Sequence, residues 1–210
     1  IKIAVDAMGG DNSPKKVIDG ILFNHQKNKN IFYKIFGNES EIQKFIYNKI
    51  DKKYYEIIHT NEVVKSTDSP LEGAKRGKNT SMWLAIQSVK DKEADIVVSA
   101  GNTGALLVIS KLNLKMIDNI DKPALSALWP NKKGMSVVLD LGANIECNSK
   151  NLLDFSIMGA SLYTSLYPTD KPNVGLLNIG SEELKGNEII KETYQILNDK
   201  KSENYDFSGY

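Results

Sequence analysis

Apolar runs and amphipathic segments alternate along the chain. Runs rich in β-branched and aromatic residues predict strands at 1–5, 31–36, 55–59, 94–99, 125–129, 135–139 and 174–179. Between them, apolar residues recur every three or four positions and predict helices after Pro14 and at 39–48, 80–90, 103–116, 151–167 and 187–197. This alternation predicts an α/β fold in three layers, α/β/α, around a largely parallel sheet.

Some segments carry more specific expectations. The near-continuous apolar character of 94–99 and 174–179 predicts strands that are buried on both faces. The helix at 103–116 is apolar on most sides and is expected to be central, whereas 60–79 is polar and irregular. The last residues, 206–210, resemble the beginning of a strand. We therefore expect residues 1–210 to form a single α/β domain that is incomplete at its C-terminal end.

Composition narrows the class of function. The 210 residues are 41% hydrophobic and 25% charged, which is typical of a folded globular protein, and the net charge of +1 argues against a nucleic-acid partner. Cys147 is the single cysteine, which excludes an internal disulfide and a thiolate metal cluster. No apolar run approaches the roughly 20 residues needed to span a bilayer. Because Arg76 is the only arginine, anions must be bound by lysines and backbone N–H groups.

Four predicted strands end in short turns of small residues that carry Asn or Asp, at 6–11, 99–104, 140–144 and 178–182. In a parallel sheet such turns lie at the carboxyl edge, where open α/β folds bind their ligands. Glycine lets backbone N–H groups approach an anion, and a helix N-terminus adds partial positive charge. The four turns together favour a phosphate site, although glycine in any single turn is also explained by ordinary loop geometry.

The usual catalytic and nucleotide motifs are absent from the sequence. There is no Walker-type phosphate loop, no G-x-G-x-x-G after a strand and no G-x-S-x-G. The two histidines, His25 and His59, lack the spacing of a catalytic triad or a zinc site, and Cys147 has no nearby base. We therefore predict neither a metal site nor a cofactor. Lys185 follows a predicted strand and could neutralise a phosphate or an oxyanion, or could simply be a solvated loop lysine.

Five segments in order resemble one known family. IAVDAMGGD at 3–11, KNTSM at 78–82, SAGNTGAL at 99–106, DLGAN at 140–144 and LLNIGSE at 176–182, followed by KGNE at 185–188, are similar to the PlsX-type phosphate acyltransferases. The resemblance implies a fold similar to the isocitrate and isopropylmalate dehydrogenases and the phosphotransacetylases, without a redox cofactor. It also implies the reaction of a fatty acyl thioester of acyl carrier protein with inorganic phosphate, which gives acyl phosphate. Members of this family are typically longer than this chain.

The resemblance and the turns together suggest roles for individual residues. Catalytic roles are expected for Lys185, Asn102 and Asn144. Phosphate or substrate binding is expected for nine turn residues: Gly9, Gly10, Ser99, Gly101, Thr103, Gly104, Gly142, Asn178 and Gly180. We expect Asp6, Asp11 and Asp140 to brace their turns, because a carboxylate beside phosphate would repel it. The basic residues Lys75, Arg76 and Lys78 are expected to dock the acidic carrier protein.

The resemblance further implies a homodimer that lies in the cytoplasm, associates peripherally with the membrane and supplies acyl phosphate to a membrane glycerol-3-phosphate acyltransferase. Two other functions remain open from the residues alone. A sugar-kinase or actin-like ATPase also places Asp-x-Gly turns after strands, and a non-catalytic scaffold for lipid-synthesis enzymes would need only the docking surfaces.

Overall fold

The computed structural model describes residues 1–132, 134–180 and 186–210, which form two compact units. Unit 1 comprises Ile1–Lys115 and unit 2 comprises Met116–Tyr210. The expectation of one domain over residues 1–210 stays a prediction. Among the described residues, no helix combines the length and the apolar character that crossing a membrane requires.

Unit 1 contains a parallel sheet and five α-helices. Its elements are β1 (Lys2–Asp6), α1 (Lys15–Lys27), β2 (Phe32–Gly37), α2 (Glu39–Ile46), a 3-10 turn (Lys52–Tyr54), β3 (Tyr55–His59), α3 (Pro70–Lys75), α4 (Ser81–Lys90), β4 (Ile96–Ser99) and α5 (Thr103–Leu114). The strands are all parallel, in the order β3-β2-β1-β4. Their carboxyl ends, and the turns that follow them, therefore lie at one edge of the sheet.

Strand alternation in unit 1 divides the core into two layers. On one face, Val5 and Ile35 are buried against Ile18 of α1 and Ile42 of α2. On the opposite face, Ala4 and Phe36 are buried with Ala85 of α4, since successive side chains of a strand point to opposite sides. Helices thus cover both faces of the parallel sheet, which confirms the predicted three-layer α/β class.

Side-chain caps fix where several helices of unit 1 begin. The Thr80 hydroxyl accepts the N–H of Trp83 and starts α4, close to the predicted start of the helix at 80–90. The short helix α3 was not predicted, although Ser69 and Glu72 form a capping box ahead of it and Pro70 occupies its first position. Six residues are too few to show a helical period, so the predicted irregular segment at 60–79 is wrong over α3.

The described part of unit 2 has two helices and two small strand pairs. Its elements are β5 (Ser126–Asn131), β6 (Gly134–Leu139), α6 (Ser149–Leu166), β7 (Asn173–Val174), α7 (Glu188–Asp199) and β8 (Asp206–Phe207). β5 and β6 form an antiparallel hairpin, and β7 pairs with β8 in parallel. A small core packs Ala160 of α6 against Leu197 of α7 and Tyr205. The strand predicted at 206–210 is therefore present as β8.

Three expectations about burial are wrong. Ile96 and Val98 of β4 are 51% and 48% exposed on one face of the strand, whereas Val97 points to the opposite face and packs against the core. The apolar run at 174–179 gives only the two-residue β7, and its residues Leu177 and Ile179 are 87% and 83% exposed. Leu112 and Leu114 on α5 are 60% and 42% exposed, so this helix is not central. An apolar run indicates burial somewhere but does not specify which partner covers it.

Candidate functional site

The turns after β1 and β4 meet around the buried carboxylate of Asp6. These neighbouring strands pair Asp6 with Ser99 at their carboxyl ends. Oδ1 of Asp6 accepts the Ser81 hydroxyl at 2.6 Å and the Met8 N–H at 3.2 Å, and Oδ2 accepts the Ser99 hydroxyl at 2.7 Å. Ser99 Oγ in turn accepts the N–H of Gly101 at 3.1 Å. One side chain, only 1% exposed, thus connects the ends of β1 and β4 with the start of α4.

Glycines let these two turns touch through their backbones. A Cβ on Gly9 would lie 2.6 Å from Asp6 Oδ2 and 2.8 Å from the nitrogen of Gly101. Gly10 has a φ of +82°, and a Cβ there would collide with the carbonyl oxygen of Ala100. The close approach of the two turns therefore accounts for these glycines without a ligand, and phosphate binding by Gly9, Gly10 and Gly101 stays a prediction.

The N-terminus of α5 is the part of this cluster best suited to an anion. Thr103 and Gly104 occupy its first turn, where N–H groups have no carbonyl acceptor within the helix. The Asn102 side chain is committed to the protein, since Oδ1 accepts the N–H of Ala105 at 3.0 Å and Nδ2 donates to the carbonyl of Asp68 at 2.7 Å. The second hydrogen of Nδ2 has only the carbonyls of Lys65 and Ser66, both at 3.4 Å, so a phosphate contact would compete with these long bonds and the catalytic role of Asn102 stays a prediction.

The three basic residues that are expected to dock a carrier protein differ in whether their charge is already paired within the protein. Lys75 and Lys78 are exposed. Arg76 instead forms a two-pronged ion pair with Asp68, whose side chain is 8% exposed. Hydrogen bonds from Arg76, which outweigh the effect of burial, lower the pKa of Asp68 to about 2. Arg76 thus holds the segment that precedes α3 through its ion pair with Asp68. Lys75 and Lys78 are therefore the accessible cations among the three predicted docking residues.

In unit 2, the turn after β6 is organised by Asp140. Its carboxylate accepts the N–H of Leu125 at 2.8 Å, the N–H of Ala143 at 3.2 Å and the N–H of Asn144 at 2.8 Å. The Asn144 side chain donates from Nδ2 to Asp140 and to the carbonyl of Pro123, both at 2.8 Å. Burial opposes ionisation of Asp140, but these hydrogen bonds outweigh it and hold the pKa of Asp140 below its usual range.

The carboxylate of Asp140 occupies donors that were expected to hold phosphate. The amides of Ala143 and Asn144 point to it, so an external anion would have to displace an internal one. Gly142 is exposed, has a φ of +88° and leaves open space where a Cβ would be. The contribution of Gly142 and Asn144 to phosphate binding stays a prediction.

The remaining predicted residues contribute less to the described geometry. Asp11 is exposed in the turn after β1. Asn178 Oδ1 accepts the N–H of Ile179 at 2.9 Å, and Gly180 is partly exposed. Lys185 lies outside the described residues. The prediction that turns from both halves of the sequence form one phosphate site therefore remains untested.

Sequence reasoning missed two residues that organise the unit 1 cluster. Ser81 was assigned no role in the site, yet its hydroxyl donates to Asp6 across 75 positions of the sequence. Asp68 was not considered, although its carbonyl holds Asn102 and its carboxylate holds Arg76. Nothing in spacing reveals such long-range pairs. Among the described residues, no group of three or more His, Cys, Asp or Glu side chains is placed to hold a metal ion.

Comparison with known proteins identifies the family. The family model described as fatty acid synthesis protein matches residues 1–210. The chain belongs to the fatty acid synthesis protein family. Within this family, the chain is 73% identical over its full length to the phosphate acyltransferase of Pelagibacter ubique (strain HTCC1062) and 40% identical over 95% of its length to that of Paramagnetospirillum magneticum. The resemblance to the phosphate acyltransferases is thereby confirmed.

The chain spans 63% and 57% of the length of these two family relatives. Among solved structures, it is similar to the EutD phosphotransacetylase of Staphylococcus aureus, with a TM-score of 0.67 and 16% identity, over 100% of this chain and 68% of that one. A phosphotransacetylase from Streptococcus pyogenes gives a TM-score of 0.68 at 15% identity, over 99% of this chain and 67% of that one. At this level of identity, the similarity shows a shared fold.

Proposed function

We propose that the protein transfers a fatty acyl group from acyl carrier protein to inorganic phosphate and so forms acyl phosphate for phospholipid synthesis. The observation that carries the proposal is the 73% identity, over the whole chain, to a protein named phosphate acyltransferase. The N-terminus of α5 supports it, because the N–H groups of Thr103 and Gly104 have no acceptor within the helix and are of the kind that binds phosphate.

The reaction needs no protein nucleophile. An oxygen of hydrogen phosphate attacks the thioester carbonyl carbon, and a C–O bond forms as the carbonyl becomes a tetrahedral oxyanion. The oxyanion collapses, the C–S bond breaks, and the departing thiolate takes up the proton that phosphate loses. The protein must hold phosphate against the carbonyl, which lowers the entropic barrier, and must place donors at the oxyanion.

The described residues, together with the role that the sequence predicts for Lys185, suggest how this work is divided. The N–H groups of Thr103 and Gly104 supply donors for phosphate, and Lys185 supplies charge to phosphate or to the oxyanion. Asp6 and Asp140 hold their turns in shape: each accepts at least three hydrogen bonds from its own unit. Neither carboxylate needs to act as a base, because phosphate is already a competent nucleophile.

The same proposal covers the partners and the fold relationship. The carrier protein is acidic and docks at Lys75 and Lys78, which are exposed. The protein forms a homodimer in the cytoplasm, associates peripherally with the membrane and delivers acyl phosphate to a membrane glycerol-3-phosphate acyltransferase. Its fold is related to that of the isocitrate and isopropylmalate dehydrogenases, which is consistent with the parallel sheet and carboxyl-edge turns of unit 1.

The test is incubation with palmitoyl-carrier and labelled phosphate, followed by trapping of acyl phosphate with hydroxylamine. We expect phosphate-dependent hydroxamate, at a rate that Lys185→Ala lowers about a hundredfold, the effect of losing one oxyanion donor. The matched control is Lys200→Ala, at an exposed lysine near the end of α7. A Lys185→Ala protein with normal activity would remove the lysine from the scheme, and absence of hydroxamate from the unmodified protein would overturn the proposal.

The assay also separates the two alternative functions. Magnesium-dependent ATP hydrolysis without acyl phosphate would favour a sugar-kinase or actin-like ATPase. Binding of the carrier without acyl phosphate would favour a non-catalytic scaffold.

A further inference from the structure

Unit 2 contains a cavity of about 350 Å³ that is lined by both apolar and polar residues. It lies between β6, α6 and the segment 172–177, with one side chain contributed by α7. Most of the lining residues are apolar, among them Leu139, Leu152, Phe155, Val174, Leu176 and Ile190. Its size and lining match those of small-molecule sites, which are mostly apolar with a few polar groups.

Polar residues also line the cavity. Asp140 and Asn144, which form the turn after β6, line it together with Cys147, and so do Ser136, Ser156 and Asn173. Because the wall offers apolar surface together with hydrogen-bonding groups, a molecule with a polar head and an alkyl tail fits it better than a uniformly polar or uniformly apolar one.

We propose that this cavity binds the alkyl chain of the acyl substrate. The inference rests on the proposed function, since that function supplies the acyl group. The cavity volume lies at the lower end of the roughly 300–1,000 Å³ that is typical of small-molecule sites, so it suits a chain of about ten carbons. Longer chains would extend beyond it.

Gly159 of α6 determines how much room the cavity has. It lines the cavity without a side chain, and a Cβ there would lie 3.2 Å from Cδ1 of Leu139 on β6. A larger side chain at this position would fill the space between α6 and β6. Ser156, one turn earlier on α6, also lines the cavity and is 9% exposed, so it offers a second position for filling.

Cys147 provides a binding readout that does not depend on turnover. It is the only cysteine, and burial raises the pKa of its thiol, so its alkylation by iodoacetamide is slow enough to follow. The probes are neutral amides, butyramide, octanamide and decanamide, which avoid repulsion by the Asp140 carboxylate. We expect protection of Cys147 to tighten by about fourfold per added methylene up to about ten carbons. Equal protection by all three amides would overturn the proposal.

Cavity-filling variants locate the bound chain. We expect Gly159→Leu and Ser156→Leu to weaken protection by decanamide at least tenfold. Gly20→Leu is the matched control, because Gly20 lies on α1 with open space around it. Unchanged protection in both filled variants would place the chain elsewhere. If neither variant folds by circular dichroism, the amide series on the unmodified protein decides.

The outcomes separate this inference from the proposed function. If longer amides protect Cys147 better but the protein makes no acyl phosphate, the cavity binds alkyl chains and the proposed reaction is wrong. If the protein makes acyl phosphate but the amides do not protect Cys147, the proposed reaction stands and the cavity is not the acyl site.

Discussion

At the scale of single residues, unit 1 buries two ionisable side chains in very different surroundings. Asp6 is surrounded by donors and accepts two hydroxyls and one backbone N–H. His25 is 7% exposed between Tyr33 and Tyr54, and Nδ1 has no hydrogen-bond partner among the described residues. A buried polar group is stabilising when it is paired and costly when it is not. The two residues should therefore affect stability in opposite ways.

Asp6→Asn should destabilise the protein while it preserves the side-chain volume. The amide has one acceptor where the carboxylate has two, so one serine hydroxyl loses its partner or reorients. We expect the free energy of unfolding in urea to fall by about 2 kcal/mol, a typical value for hydrogen bonds to a charged group. The control is Asp19→Asn, whose exposed ion pair with Lys15 should contribute less than about 1 kcal/mol. Equal losses in both variants would contradict this role for Asp6.

His25 should make stability depend on pH below neutrality. Burial, and secondarily the charge of Lys29, lowers the pKa of His25 below 6.5. The unfolded chain then binds the proton more readily than the folded chain does. The free energy of unfolding therefore has its full value above about pH 6.5 and decreases as the pH falls below it. His25→Leu should flatten the unfolding free energy measured between about pH 7 and 5. An unchanged slope in this variant would show that His25 does not carry the effect.

At the scale of elements, the close approach of two turns determines the geometry of unit 1. The turn after β1 and the turn after β4 touch at Gly9 and Gly101, and Asp6 bonds to both strands and to α4. This arrangement positions the N-terminus of α5, where the first helical N–H groups are available to an anion. A change at the contact between the turns should therefore disturb several elements together.

Gly9→Ala should be strongly destabilising, although the same substitution usually stabilises. The added Cβ would lie within 2.9 Å of Asp6 Oδ2 and of two Gly101 backbone atoms, which cannot move without separating the turns. We expect a loss of about 3 kcal/mol by urea unfolding, at the upper end for overpacking. Gly20→Ala, in open space on α1, should instead gain about 0.5–1 kcal/mol. Tolerance of alanine at both positions would disprove the packing argument.

Much of the element order could be predicted because it depends on local signals. Caps and alternation placed β3 and α4 within a residue of where they lie. The sequence could not predict which strands pair with each other. The apolar run at 94–99 does not reveal that β4 is an edge strand, and the run at 174–179 does not reveal that β7 has only two paired residues. The short helix α3 was not predicted, because its six residues are too few for a helical period to appear.

At the scale of the whole molecule, charge is nearly balanced, at +1, so any docking surface must be local. Lys75 and Lys78 are exposed close to α3, whereas Arg76 is held by Asp68. The sequence identified this basic group but could not show that its arginine is already paired. The same limit applied to the glycine turns: the sequence located them, but the internal carboxylates that occupy their N–H groups became visible only in three dimensions.

Reversing the two free charges should weaken carrier binding through electrostatics. We expect Lys75→Glu with Lys78→Glu to raise the Kd for acyl carrier protein about tenfold at low ionic strength, and less at high salt, because screening removes long-range attraction. Lys200→Glu with Lys201→Glu makes the same charge change at exposed positions after α7 and should have a smaller effect. If both pairs weaken binding equally, net charge rather than a docking surface is responsible.

The most direct test of the account follows the oxygen atoms of phosphate. The protein is incubated with palmitoyl-carrier and fully ¹⁸O-labelled phosphate, and the intact acyl phosphate is weighed by mass spectrometry. Direct attack of phosphate on the thioester predicts a product that retains every labelled oxygen. Loss of one label, as expected if the thioester were first hydrolysed and the fatty acid then condensed with phosphate, or a product that forms only with ATP, would contradict the proposed reaction.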